Sequence, residues 1–225
     1  MSFVSSASRR SVSATALMSR VYFSPRRHHV VTTATTASEA AARSFSSSTK
    51  ITVGTDMTKS KVKLQKARPW YMSDAEGSNK AEDNAVSMTD LFGNKRVALF
   101  GVPAPFTGTC SHEHYPPYRT LAKDLKEKGG VDKIVCYSVA DPYAHYGWST
   151  ALNNDDGDIE FLADVDGDFA KEFGVDAVYE PVSLGERSIR FSMLVDDGIV
   201  KAFNVVDDAR KDAEVILEEA KNTPK

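Results

Sequence analysis

The segment from Val97 to Lys128 constrains this chain more than any other. An unbroken apolar run, Val97–Val102, leads into the loop Pro103-Ala104-Pro105-Phe106-Thr107-Gly108-Thr109 and then into an amphipathic run from Ser111 to Lys128. A continuous apolar run of that length reads as a strand buried on both faces. The amphipathic run reads as a helix, because Tyr118, Leu121, Ala122 and Leu125 recur on one face at three- and four-residue spacing. Cys110 falls at the start of that helix. Unpaired backbone N–H groups and the helix dipole there favour a thiolate over a thiol.

The pattern continues in the same style. Gly129-Gly130 stops the helix, and Lys133–Val139 is a second buried strand. Tyr143–Leu152 is a second helix, closed by the polar turn Asn153–Asp158. Glu160–Ala163 is a short strand and Phe169–Phe173 a short helix. Arg190–Val195 and Ile199–Val205 alternate around Asp196-Asp197-Gly198, a strong hairpin signal. Ala209–Lys221 is a closing helix with Val215, Ile216 and Leu217 centred on its apolar face and Asp207 or Asp208 as its cap. Upstream, Ile51–Gly54 and Ser60–Leu64 alternate briefly and predict an N-terminal hairpin. Ser73–Ala85 reads as a polar loop, and Ser87–Gly93 as one capped helical turn. The sum is an α/β fold with a mixed central sheet flanked by helices. A strand feeding a helix that starts with a reactive cysteine is the thioredoxin-like arrangement. No C-x-x-C is present, so dithiol exchange of the thioredoxin kind is not supported.

Charge divides the chain in two. Residues 1–45 hold six arginines, no lysine and a single acid, Glu39, among many Ser, Thr and Ala. Arg-rich, Ser-rich and acid-poor composition is that of an organelle transit peptide. Arg43-Ser44-Phe45-Ser46 resembles a mitochondrial processing site, so residues 1–45 are expected to direct the protein to the mitochondrial matrix. A plastid address is the alternative, since the compositions overlap. Residues 46–225 form the expected globular domain. From Ser46 onward 22 basic residues face 30 acidic ones, which argues against a nucleic-acid partner. No window approaches the roughly 18 apolar residues of a membrane span.

A peroxide-reducing site needs a thiolate, donors that align the peroxide, and stabilisation of the departing oxygen. Thr107 can turn its hydroxyl toward both the sulfur and a bound oxygen. Pro103 stiffens the loop and adds no competing N–H. Arg190 carries a permanent charge and a fan of donors suited to a thiolate. Pro103-x-x-x-Thr107-x-x-Cys110 matches the peroxiredoxin motif P-x-x-x-T-x-x-C. The strings VALFGVPAPFTGTC, IVCYSVADPY, FLADVDGDFAKEFG and RFSMLVDDGIVKAFNV resemble type II peroxiredoxins, the peroxiredoxin-five subfamily, closely over about residues 88–206. The resemblance implies a thioredoxin-like fold and reduction of hydrogen peroxide and organic hydroperoxides to water and alcohols, through a sulfenic acid on Cys110. It implies Thr107 and Pro103 as motif partners and Arg190 as the active-site arginine. It implies no cofactor, and a monomer or homodimer regenerated by glutaredoxin and glutathione or by thioredoxin. The family usually has proline where Gly108 stands, and glycine where Ala104 and Pro117 stand.

Cys136, the second cysteine, has two readings. Plant and algal type II members carry their second cysteine near this position, which makes Cys136 a resolving thiol. Its mid-strand placement equally suits an inert core residue, since free cysteine behaves as a small hydrophobe. A disulfide needs Cα atoms within about 7 Å, which a mid-strand residue and a helix start meet only with local unfolding. Cys110, His112 and His114 do not make a metal site. Residues two apart on a helix face different ways, and Cys110 with His114 supplies at most two ligands. His114 is expected to pack beside the active-site loop. The competing functional class is a non-enzymatic peroxide sensor that relays oxidation to a partner protein. It differs from a peroxidase by not turning over.

Overall fold

The computed structural model describes residues 49–72 and 77–224. The expected leader, residues 1–45, lies outside the described residues. In chain order the elements are β1 Lys63–Lys66, α1 Ala81–Asn84, β2 Ala85–Ser87, α2 Met88–Phe92, β3 Arg96–Gly101, α3 Tyr115–Glu127, β4 Lys133–Ser138, α4 Pro142–Ala151, β5 Ile159–Ala163, α5 Asp168–Phe173, β6 Asp176–Val178, β7 Glu186–Ser188, β8 Phe191–Asp196, β9 Ile199–Val205 and α6 Asp212–Asn222. A 3-10 turn, Met57–Lys59, precedes β1, and a π-turn, Cys110–His114, precedes α3.

Seven strands form one mixed sheet in the order β2-β1-β5-β4-β3-β8-β9, and β6 and β7 pair separately. The three central strands are parallel, β3 to β4 and β4 to β5. The flanking strands run antiparallel. All six residues of β3 are buried, as the unbroken apolar run from Val97 predicts. The β8–β9 hairpin turns at Asp197 and Gly198, both at positive φ (45° and 79°), the backbone of a type I′ turn.

Alternation on the strands splits the core between the two faces of the sheet. Val97, Leu99, Val135, Tyr137, Met193 and Val195 face α2 and α5. Ala98, Phe100, Ile134, Cys136 and Leu194 face the helices on the other side, where Tyr118, Leu125, Trp148 and Ile216 close the layer. Cys110 belongs to this second layer. A mixed sheet covered by helices on both faces is the thioredoxin-like fold expected from the sequence.

Three local expectations change. The N-terminal hairpin does not form from Ile51–Gly54 and Ser60–Leu64. Instead β1 pairs with β2 across a long connection, and its other edge joins β5. The polar stretch expected as loop to Ala85 contains α1 and the first residue of β2. α6 begins at Asp212 after Lys211, so neither Asp207 nor Asp208 caps it, and its buried face is Ala213, Ile216, Leu217 and Ala220, while Val215 is exposed. A helix that lies on a sheet buries the positions three and four apart. Val215 falls between those positions.

Gly101 ends β3 at a close approach. A Cβ there would stand 2.1 Å from the ring of Phe191, so only glycine lets that ring cross the strand end. Phe191 directly follows Arg190, and the crossing fixes where that arginine enters the site.

Candidate active site

The loop after β3 stays tied to the sheet for one more residue, because the Val102 N–H donates to Tyr137 O at 2.9 Å. Pro103 and Ala104 are buried behind it. Phe106 turns outward at φ 61°, an unusual backbone for an aromatic residue, and is exposed. The Thr107 hydroxyl donates back to Ala104 O at 3.0 Å, closing the loop on itself. The Ser111 N–H donates to Thr107 O at 3.0 Å, the first helical bond. Cys110 therefore lies in the first turn of a helix, as the sequence predicts.

That turn is irregular. The Tyr115 N–H reaches five residues back to Cys110 O, so residues 110–114 form a π-turn. Pro116 and Pro117 follow at the start of α3 and lack the N–H groups that an α-register would send to residues 112 and 113. The double proline removes the donors that would hold this turn at four-residue spacing. Side chains fasten it instead. The Trp148 indole donates to Ser111 Oγ at 3.0 Å, and the Tyr115 hydroxyl donates to Asn154 Oδ1 at 3.2 Å.

Cys110 is 2% exposed. Its sulfur accepts a hydrogen bond from Arg190 Nη2 at 3.3 Å, a link across 80 residues of sequence. The same guanidinium donates from Nη1 to His114 Nδ1 at 2.9 Å. His114 is fully buried, and its Nε2 lies 2.8 Å from Asp212 Oδ2. Asp212 also accepts from the Tyr118 hydroxyl at 2.6 Å and from Ser192 Oγ at 2.6 Å. Burial pushes the His114 ring below its ordinary basicity; Asp212 opposes that push and Arg190 adds to it. Burial raises the Tyr118 phenol well above its usual range, with Asp212 reinforcing the effect. The Tyr179 phenol is also raised by burial, with Arg190 opposing and Cys110 adding.

Of the residues singled out from the sequence, Cys110 and Arg190 meet directly. Thr107 and Pro103 shape the loop, and Thr107 spends its hydroxyl proton on that loop. Cys136 is fully buried mid-strand on the same face of the sheet as Cys110, paired in register with Phe100. Both thiols are free. Burial pushes the Cys136 thiol well above its usual range; Cys110 adds to that and Arg190 partly offsets it. An open groove lined by Ala104, Phe106, Ala144, Leu184 and Arg187 runs beside the loop, but Cys110 does not line it. Asp212, Tyr118 and Ser192 carry no motif signal. Only the burial of a tyrosine on the apolar helix face hinted that its hydroxyl needed a partner.

The Redoxin family profile matches residues 53–219. The chain belongs to the Redoxin family, as a type II peroxiredoxin. It is 42% identical over 184 residues to Peroxiredoxin-2F, mitochondrial, of Arabidopsis thaliana, covering 79% of this chain and 86% of that protein. It is 33% identical to reduced Prx3 of Vibrio vulnificus in complex with hydrogen peroxide, at a TM-score of 0.57 over 69% of this chain and 88% of the other. Peroxiredoxin 5 of Alvinella pompejana superposes at a TM-score of 0.63 over 77% of this chain and 99% of the other. At 23% identity that likeness concerns the fold alone. Against the type II peroxiredoxin pattern, Gly108 stands with open space where a Cβ would be, and Pro117 occupies the second position after Tyr115 in α3.

Proposed function

We propose that this chain, a thiol peroxidase by family, reduces hydrogen peroxide and organic hydroperoxides through Cys110. The observation that carries the reading is the Arg190 Nη2 contact to the Cys110 sulfur at 3.3 Å. A guanidinium stabilises a thiolate and has further donors to offer a peroxide oxygen. The thiolate attacks the terminal oxygen of the hydroperoxide. A sulfur–oxygen bond forms as the oxygen–oxygen bond breaks, leaving a sulfenic acid and an alkoxide or hydroxide that takes a proton from solvent. Pro103 and Thr107 support this step by holding the loop that presents Cys110.

Regeneration runs through an external thiol. Glutathione condenses with the sulfenic acid, releases water and leaves a mixed disulfide, which glutaredoxin removes. Thioredoxin is the competing reductant. The raised, fully buried Cys136 thiol supports this order, because attack on sulfur needs a thiolate. Cys110 is itself nearly buried, so its helical turn must open for any second thiol. The reading extends to a mitochondrial matrix address for a leader of residues 1–45. Its supports are the acid-poor, Arg-rich composition and the similarity to a relative named as mitochondrial. N-terminal sequencing of the native protein tests removal of the leader near Ser46, and fractionation of mitochondria from plastids tests the address.

Steady-state turnover with glutathione and glutaredoxin tests the chemistry. Cys110→Ser loses all but a few per cent of turnover, and Cys136→Ala keeps most of it. Mass spectrometry of the peroxide-treated protein finds the oxidation on Cys110. A single oxidation without turnover favours the sensor reading. A Cys110–Cys136 disulfide as the dominant oxidised species overturns the external-thiol route.

A further inference from the structure

Asp212 stands at the start of α6, 98 residues beyond His114 in sequence, and is 3% exposed. A carboxylate is buried at such cost that its partners decide what it does. Oδ1 accepts from Ser192, and Oδ2 accepts from Tyr118. The third contact, with His114 Nε2, is the informative one. On the other side of the ring Nδ1 faces Arg190 Nη1. A guanidinium has donors and no acceptor, so Nδ1 must present its lone pair. The ring proton therefore sits on Nε2 and points at Asp212. The sequence of contacts runs from carboxylate to imidazole to guanidinium to sulfur, and each bond depends on the one before it.

We propose that Asp212 is a positioning residue for the peroxide reaction: by accepting the Nε2 proton of His114 it fixes the tautomer whose Nδ1 holds Arg190 against the Cys110 sulfur. The proposal rests on the peroxidase reading of Cys110 and deepens it. The burial that keeps His114 neutral supports a single tautomer, since a doubly protonated ring would turn a donor toward Arg190. A purely architectural role for Asp212, tying α6 to α3 and β8, would not require His114 in any particular protonation state.

Asp212→Asn separates the two roles. Its amide keeps the shape, with the NH2 toward the Ser192 hydroxyl and one neutral oxygen left for both the Tyr118 hydroxyl and His114 Nε2. The carboxylate's hold on the Nε2 proton is lost, so the Nδ1–H ring, which sets two donors face to face at Arg190, gains population. Nitrogen-15 spectra of the imidazole report this directly: the unmodified protein shows His114 protonated at Nε2 alone, and Asp212→Asn shows a mixture in which Nδ1–H is populated. The second-order rate with hydrogen peroxide falls by about tenfold or more, in the direction that a wrong-tautomer histidine produces in hydrolytic triads. His114→Gln provides the control, because an amide can accept from Arg190 and donate to residue 212 without a tautomer to lose. Added to His114→Gln, the Asp212→Asn change costs less than about twofold. An equal loss whether or not His114→Gln is present overturns the proposal. An Nδ1–H tautomer in the unmodified protein also overturns it, and that measurement needs no variant to fold. Alkylation of Cys110 by iodoacetamide, slowed by Asp212→Asn in the same measure, keeps the relay distinct from the peroxidase reading. If the unmodified protein lacks turnover yet shows this slowing, the reaction is wrong and the relay stands.

Discussion

Arg190 joins both halves of the site: one nitrogen on the sulfur, the other on His114. Hydrogen bonds to charged groups contribute about 1.5–3 kcal/mol. Arg190→Ala is expected to slow the peroxide step by roughly ten- to a hundredfold, with stopped-flow fluorescence as the readout. A rate within about twofold of the unmodified protein would make Arg190 a structural residue. Cys110, Thr107 and Pro103 were legible as candidates because their motif is written at fixed spacing in one loop, and Arg190 through its place before a strand and the family resemblance. Asp212 was not legible. Its bonds to His114 and Tyr118 cross 98 and 94 residues, and no local pattern announces a pairing that only the packing of α6 on α3 creates. His114 was expected to pack beside the loop; its bonds to Arg190 and Asp212 make it a link between them.

At the scale of elements, the first turn of the cysteine helix is the weak point, and its weakness is built from residue types. The double proline removes two backbone donors, the turn is held at π spacing, and Gly108 adds a residue with maximal freedom in the unfolded chain. A Cβ at Gly108 would touch nothing. Replacing glycine by alanine at a compatible site stabilises by about 0.4–1 kcal/mol. In Gly108→Ala, that stiffening makes opening of the turn rarer by roughly two- to fivefold. Turnover with external thiols is expected to fall by that factor, while the peroxide step, which uses the closed turn, keeps its rate. Comparing stopped-flow oxidation with steady-state turnover checks this. A variant slowed equally in both steps would show that Gly108 matters to the closed site instead. The central strands and the β8–β9 hairpin were readable because burial on both faces and an Asp-Gly turn leave local signatures. The partner of β1 was not readable. Short alternation says that a strand exists and nothing about which of two distant segments it pairs with.

For the whole molecule, the dependence of stability on pH follows from what the core encloses. His145 is fully buried in α4, with Nε2 2.5 Å from Ser138 Oγ, and among the described residues its Nδ1 has no partner. Burial pulls its pKa from 6.5 to about 4, against the opposing charge of Asp141. Between these values the unfolded chain binds a proton that the folded one refuses. The stability is complete above pH 6.5 and is lost as pH falls toward 4, by about 3 kcal/mol from this one ring. His114, lowered in the same direction, adds to the loss. Net charge works the other way: from Ser46 onward acids outnumber bases by 30 to 22, so mild acid relieves self-repulsion across the surface. Surface relief is spread over exposed, screened charges, whereas the histidine term is concentrated on one buried ring, so the histidine term dominates. Urea unfolding at pH 7 and at pH 4 measures the balance. The unmodified protein is expected to lose about 3 kcal/mol more than His145→Gln over that interval, because glutamine keeps a partner for Ser138 without a proton to gain. Equal losses in the two proteins would mean that the folded core accepts the proton on His145, and that acid sensitivity has its origin elsewhere in the molecule.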